Sequence, residues 1–275
     1  MRYFLFILTL VVVSPMLNAQ EKIKGDRNVT IKQTYIDDFK TLVVNGDFSI
    51  EIVYNSKPSV TVETDDNLHE VIQFEVVDGV LSFTETIRIT SKKRLNITVN
   101  YGDALENIIV RGDGEVRSLT SMELKSASLE TADNARAYLN INSTNFSYKS
   151  SGKSKTRLNL TADSTKIELS DNSKLDALIN SKVADFDLYQ RSDAAIEGSV
   201  KNSILRLDNS SNFNSPNLDV KSVIATLEDN SDLTISATEK IMISASGDTE
   251  LYLFGNPAIT ITKFEDNAKL QKKQR

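Results

Sequence analysis

Along the second half of the chain apolar and polar residues alternate in short runs, among them Leu158-Asn159-Leu160, Ile167-Glu168-Leu169, Leu205-Arg206-Leu207, Leu233-Thr234-Ile235 and Leu251-Tyr252-Leu253. A period of two is the mark of a β-strand with one buried face. Between the runs a frame recurs, in which two apolar residues flank five turn-rich positions: Val110 to Val116, Leu169 to Leu175, Tyr189 to Ala195, Leu207 to Phe213, Leu227 to Leu233, Ala245 to Leu251 and Phe264 to Leu270. Two weaker frames, Thr131 to Ala137 and Ser150 to Thr156, complete the series, and the nine starting positions have a mean spacing of 19.25 residues.

Two residues into each frame stand Gly112, Asp133, Gly152, Asp171, Arg191, Asn209, Asp229, Gly247 and Asp266. All but Arg191 belong to the types that tolerate a left-handed backbone. Short strands with a turn at a fixed period do not suit a hairpin sandwich, whose register is set by neighbours in sequence. They suit a solenoid in which each period is one coil and equivalent residues stack at the interstrand spacing of about 4.8 Å. The sheets are then parallel, inward positions form aliphatic ladders, and nine coils make a body of roughly 43 Å. The expected fold is therefore all-β, a parallel β-helix (β-solenoid) over 107–270 with coils of about 19 residues. Of the four prolines, Pro58, Pro216 and Pro257 are expected in loops, where no ladder hydrogen bond is lost.

The region 20–106 is less regular. Leu42 to Val44, Phe48 to Ile52, Val60 with Val62, Phe74 to Val77, Val80 to Phe83 and Leu95 to Val99 read as strands. Between them Asp65 to Glu70 reads as a short helical turn capped by Asp66 or Asn67. The region is read as either further coils or a β-rich cap on the first coil, since an open solenoid end exposes unpaired backbone. At the other end, 271–275 reads as a charged tail.

The first residues change the picture from fold to destination. A charge at Arg2, an apolar run from Tyr3 to Val13 and small residues before Gln20 form the pattern of a secretory signal peptide, residues 1–19. The run is too short to span a bilayer, which needs roughly 20 apolar residues, and no later segment approaches that length. The protein is expected to be exported, to the periplasm, the outer-membrane surface or the medium, without a transmembrane segment.

Composition then removes whole classes of chemistry. The 275 residues include no Cys, no Trp and one His. Disulfides, thiolate nucleophiles and cysteine-based metal centres are excluded, and imidazole catalysis rests on His69 alone. A formal net charge of -6 disfavours nucleic acid as a partner. Asp, Asn, Ser and Thr together make up 97 of 275 residues, and the nine turns give many of them a place.

The stretch Asp65-Asp66-Asn67-Leu68, then Val76-Val77-Asp78-Gly79-Val80-Leu81, the repeated Asp-Asn turns and finally Leu251-Tyr252-Leu253-Phe254-Gly255-Asn256-Pro257 resemble the putative auto-transporter adhesin, head GIN domain family. The likeness runs from about Phe39 to Leu270. It implies a right-handed parallel β-helix exported into the envelope of Gram-negative bacteria, with no established enzymatic activity. The turns depart from the family's frequent Gly-Ser-Gly, having Asp-Asn-Ser and Asp-Asn-Ala instead.

Candidate chemistry is weighed on that scaffold. The turn ladder Asp171, Arg191, Asn209 and Asp229 is either a polar, calcium-like stripe or the set of residues the turn backbone demands, with Arg191 relieving the crowding of acids; the second reading is adopted. His69, beside Glu70, is read as a solvent-facing residue of the helical turn rather than a base. The alternative to a binding scaffold is a carbohydrate-active enzyme, a polysaccharide lyase or hydrolase using Asp185, Asp187 or Asp193, with Arg191, Arg206 and Asp208 nearby. The main reading is non-enzymatic: no cofactor, no metal, and an unknown surface glycan or protein as partner. Asp163-Ser164-Thr165 resembles a short bacterial O-glycosylation motif centred on Ser164.

Overall fold

The computed structural model describes residues 21–274; the signal-peptide reading, residues 1–19, lies outside the described residues. Twenty-one strands follow in chain order: β1 (Lys22–Lys24), β2 (Val29–Tyr35), β3 (Thr41–Val44), β4 (Ser49–Tyr54), β5 (Ser59–Asp65), β6 (Ile72–Val77), β7 (Val80–Glu85), β8 (Arg88–Ser91), β9 (Leu95–Tyr101), β10 (Asn107–Val110), β11 (Glu115–Ser118), β12 (Met122–Thr131), β13 (Arg136–Ser150), β14 (Lys155–Leu169), β15 (Lys174–Leu188), β16 (Asp193–Leu207), β17 (Asn212–Leu227), β18 (Asp232–Ala245), β19 (Glu250–Phe254), β20 (Ala258–Phe264) and β21 (Lys269–Lys272). They form a β-solenoid of about nine turns with coils of about 19 residues, apart from β1 and β8, which pair with each other as a separate two-stranded sheet. Among the described residues no helix is long and apolar enough to cross a membrane.

In the central coils, β13 to β18, each coil is one long strand followed by a four-residue turn. In β14 the buried positions alternate as Thr156, Leu158, Leu160 and Ala162, then two consecutive exposed residues, Asp163 and Ser164, reverse the phase before Thr165, Ile167 and Leu169 turn inward. That corner divides the coil into a first face, before it, and a second face, after it. Successive coils pair in parallel and in register, so Leu158 lies between Leu139 and Ala177. Leu169, Leu188, Leu207 and Leu227 form one inward ladder, each at most 1% exposed. The weak frames at Thr131 and Ser150 have a physical reason. Their inward hydroxyls join Tyr148 and Ser154 in a buried network, with Thr131 Oγ1 3.0 Å from Tyr148 Oη and 3.0 Å from Ser150 Oγ.

The turns obey the left-handed requirement with one correction to the register. Gly112, Asp133, Gly152, Asp171, Asn209, Asp229, Gly247 and Asp266 all have positive φ, as expected, but in the remaining coil the residue is Gln190 (φ 61), not Arg191. Leu188 rather than Tyr189 is the stacked apolar residue there, since the ladder pairs Leu188 with Leu169 and Leu207. Tyr189 drew the frame one position late because it is also apolar; burial selects its neighbour.

A second ladder escaped the sequence reading. The fourth turn residue, Ser154, Ser173, Ser192, Ser211, Ser231 or Thr249, is at most 1% exposed. In three of these turns the hydroxyl donates back to the turn's own backbone, Ser154 Oγ to Ser151 O at 2.9 Å, Ser173 Oγ to Ser170 O at 2.7 Å and Ser231 Oγ to Glu228 O at 2.9 Å, whereas the buried hydroxyls of Ser192 and Thr249 have no hydrogen-bond partner. The Ser of the Asp-Asn-Ser turns is thus a buried closing group.

At the N-terminal end β3 and β4 complete a coil, Val44 pairing with Val110 and Ile50 with Val116. Beyond it β7 and β9 add in parallel to β3 and β4, and then the pairing turns antiparallel through β6 on β7, and β5 and β2 beside β9. The short helical turn is a 3-10 turn, Asp66–Leu68, whose N-cap is Asp65 with no side-chain capping bond. Neither Asp66 nor Asn67 caps it: Asn67 instead ties the turn to the β1 end by donating to Lys24 O at 2.8 Å. Pro216 lies within β17, not in a loop, at an irregularity of the ladder described below. At the other end β21 carries Gln271 and Lys272 of the charged segment as strand, and the outer edges of β20 and β21 pair with no other strand among those described.

Two substitutions test the register. Leu207→Asp buries a charge among stacked leucines and should cost more than about 4 kcal/mol. Asn209→Val places a β-branched residue at φ 54 and should cost roughly 1–2 kcal/mol. Thermal unfolding followed by circular dichroism checks both; parent-like melting of either variant contradicts the coil assignment.

Candidate binding trough on the first face

The outward side chains of the first face form rows along the solenoid. One row is Arg117, Tyr138, Arg157, Asp176 and Ala195; the next is Asn140, Asn159, Leu178 and Glu197. Parallel stacking converts residues 19 positions apart into lateral neighbours, so a row is a continuous surface read once per coil. The Arg117 guanidinium lies 4.3 Å over the Tyr138 ring, a cation–π contact that stiffens both side chains. Arg157 Nε is 3.9 Å from Asp176 Oδ2 across the next step.

Between these rows runs an open trough of about 750 Å³. Its floor dips at Ala195, where the row loses its large side chain, and its far wall is a bulge. Between the pairs Ala194–Phe213 and Gly198–Leu218, β16 has three residues and β17 has four; Asn214 and Ser215 still pair with β18, so the strand bulges at Pro216 and Asn217. Pro216, which has no N–H to donate, falls at the break in regular pairing with both neighbouring strands. Ser215 Oγ replaces the missing pairing by accepting from Ile196 N at 2.9 Å. Gly198, at φ 115, lets the strand pass close to β15: a Cβ would stand 2.3 Å from Ile179 O. The sequence carried this signal in the long spacing from Leu207 to Leu227 and in Pro216, yet only the pairing shows that the extra residue forms a wall.

A smaller cleft of about 380 Å³ adjoins the trough and is lined by Lys155, Lys174 and Asp193 as well as Tyr138 and Arg157. Asp193 there is 3.6 Å from Lys174 Nζ and accepts from Asn212 Nδ2 at 3.1 Å. Asp185 and Asp187 lie elsewhere, on the second face of β15 beyond the corner at Lys182 and Val183. Asp187 accepts from Arg206 at 2.9 Å, and one buried oxygen of Asp185 has no hydrogen-bond partner. The turn Tyr189 to Ser192 therefore stands between Asp193 and the other two acids. Asp208 is a turn residue whose N–H donates to Ser211 Oγ at 3.1 Å.

His69 is half-buried rather than solvent-facing, with Nε2 2.9 Å from Thr30 Oγ1. Burial, followed by the charge of Lys32, holds its imidazole below the usual 6.5. On the turn edge Gln190, not Arg191, takes the ladder position: its Oε1 accepts from Asp171 N at 2.7 Å, and Asp171 in turn accepts from Gly152 N at 2.8 Å. The ladder residues cap the backbone of the preceding coil. Among the described residues no group of three His, Asp or Glu is placed to hold a metal ion. Ser164 is exposed at the corner of β14, while Thr165 turns inward and bonds Ser181 at 3.1 Å.

With this geometry in view, comparison with known proteins is informative. The sequence matches the family model described as "Putative auto-transporter adhesin, head GIN domain" over residues 38–178 and again over 155–257. The chain belongs to this family. The two overlapping matches accord with a repeat in which one coil resembles the next. No curated protein matches the sequence. Among solved structures, a putative adhesin from Parabacteroides merdae is similar at 15% identity and a TM-score of 0.65, covering 92% of this chain and 99% of that one. A putative adhesin from Parabacteroides distasonis is similar at 19% identity and a TM-score of 0.63, covering 92% and 100%. A putative lipid binding protein from the same species has 16% identity and a TM-score of 0.59, with the same coverage. At these identities the likeness establishes the fold.

The turn edge carries a pH effect. The Asp229 carboxyl hydrogen-bonds the Asp208 carboxyl and is repelled by it, which raises its pKa above 3.8. The folded form then binds the proton more tightly than the unfolded form, so this contribution to stability is lost as pH rises from 3.8 through the raised value. Asp229→Asn, which keeps the left-handed tolerance, should raise Tm at pH 7 and raise it less at pH 3. Differential scanning calorimetry at the two pH values checks this; an equal shift at both contradicts the carboxyl pair.

Proposed function

We propose that the protein is an exported, non-enzymatic envelope module of adhesin-like type that holds a surface polymer in the first-face trough. The observation that carries this reading is the trough itself: a surface that continues from coil to coil on rigid, doubly paired strands, with arginine, carboxylate and amide groups facing outward. The signal-peptide pattern of residues 1–19 and membership of an adhesin-named family support export and binding. The separation of Asp193 from Asp185 and Asp187 by a turn weighs against one carboxylate site. The coil interior is filled by stacked side chains, which weighs against a lipid lodged inside.

Sedimentation of the purified mature chain with Gram-negative outer-membrane fragments tests the reading. Binding is expected, with a loss of about tenfold in the double variant Arg157→Ala and Leu178→Asp, whose melting should match the parent because both side chains are on the surface. Absence of binding, or binding indifferent to the double variant, overturns the trough. Release of reducing ends from a polysaccharide, abolished by Asp185→Asn or Asp187→Asn, overturns the non-enzymatic reading.

A further inference from the structure

We infer that the trough receives a linear, uncharged polysaccharide lying along the solenoid axis, an inference that rests on the binding role proposed above. From Arg117 on β11 to Asn217 on β17 the lining crosses six strands, or a run of about 24 Å at the interstrand spacing. The depression is open along its length, so it fits an extended polymer rather than a compact molecule. Its direction is that of the rows, across the strands.

Arg117 and Arg157 are balanced in the lining by Asp176 and Glu197. Each arginine also has a carboxylate beside it, Glu115 at 3.4 Å and Asp176 at 3.9 Å. A polyanion threading the trough would meet Asp176 and Glu197 as well as the arginines, on a protein of net charge -6. A chain of hydroxyl groups meets no such opposition. Each hydroxyl is donor and acceptor at once, and the lining offers both roles through paired guanidinium and carboxylate groups and the amides of Asn159 and Asn214.

The trough's strands β13 to β16 are paired on both sides, so a peptide cannot add to the sheet through its backbone. In the middle Leu178 is 43% exposed, and Ala195 and Pro216 on the following coils also line the trough. These scattered apolar groups match the C–H face of a sugar ring better than the large anchors a protein interface requires.

Affinity electrophoresis of the mature chain through gels containing laminarin, xylan or mannan, with polygalacturonate as the anionic comparison, tests the inference. Retardation by at least one neutral polymer is expected, persisting at about 0.5 M salt where exposed charges are screened within a few ångströms. Arg157→Ala and Asn159→Ala should each weaken it several-fold, and a hexasaccharide of the retarding polymer should compete about tenfold better than its disaccharide, since only the longer chain spans several coils. Retardation by polygalacturonate alone, or by none of the neutral polymers, overturns the inference. Where the protein nonetheless sediments with outer-membrane fragments through Arg157 and Leu178, the binding role stands and only the neutral glycan falls.

Discussion

The structure depends on the stacking of identical backbone positions one interstrand spacing apart. A parallel ladder forces residue i to sit beside its equivalent in the next coil, so a side chain that suits one coil must suit its copy directly above. Leu169, Leu188, Leu207 and Leu227 satisfy that demand in the core. The left-handed turn residue satisfies it at the edge, because a coil that turned elsewhere would lose register with both neighbours. The turn carboxylates and amides extend the same constraint: Asp171 and Gln190 each cap a backbone N–H of the coil before.

That constraint explains how a polar sequence builds a stable body. Asp, Asn and Ser are weak strand formers, yet each has a required position in the turn. The first supplies backbone angles, the next faces solvent, and the last is buried as the corner closes. The same regularity makes departures informative. Where the chain inserts a residue into β17 the ladder cannot absorb it, and the excess is expelled outward as the wall of the trough. A feature suited to binding thus arises where the repeat is broken, on a scaffold that the unbroken coils hold rigid. The two solenoid ends differ for a related reason. Antiparallel strands cover the first coil, whereas Ile259 and Ile261, inward by register, remain 44% and 49% exposed on the last one.

The legibility of these parts in the sequence follows their periodicity. Features repeated nine times, the inward ladder and the left-handed turn residue, stood out against chance alternation. Features present once did not. The slip from Tyr189 to Leu188 arose because apolarity alone cannot say which of two adjacent residues faces inward. His69 looked exposed because its contact with Thr30 joins residues 39 positions apart. Asp185, Asp187 and Asp193 looked like one cluster because they are near in sequence, while the turn between them separates two faces.

The β-solenoid, its period and the left-handed turn residue were legible along the chain, because local backbone preference and burial act within a few residues. Which outward side chains share a surface was settled by the registration of one coil on the next. Lateral neighbours in a parallel sheet lie a whole coil apart in the chain, and a single inserted residue changes their alignment without altering local alternation. Arg117 over Tyr138, Arg157 beside Asp176 and the bulge at Pro216 and Asn217 are products of that long-range registration.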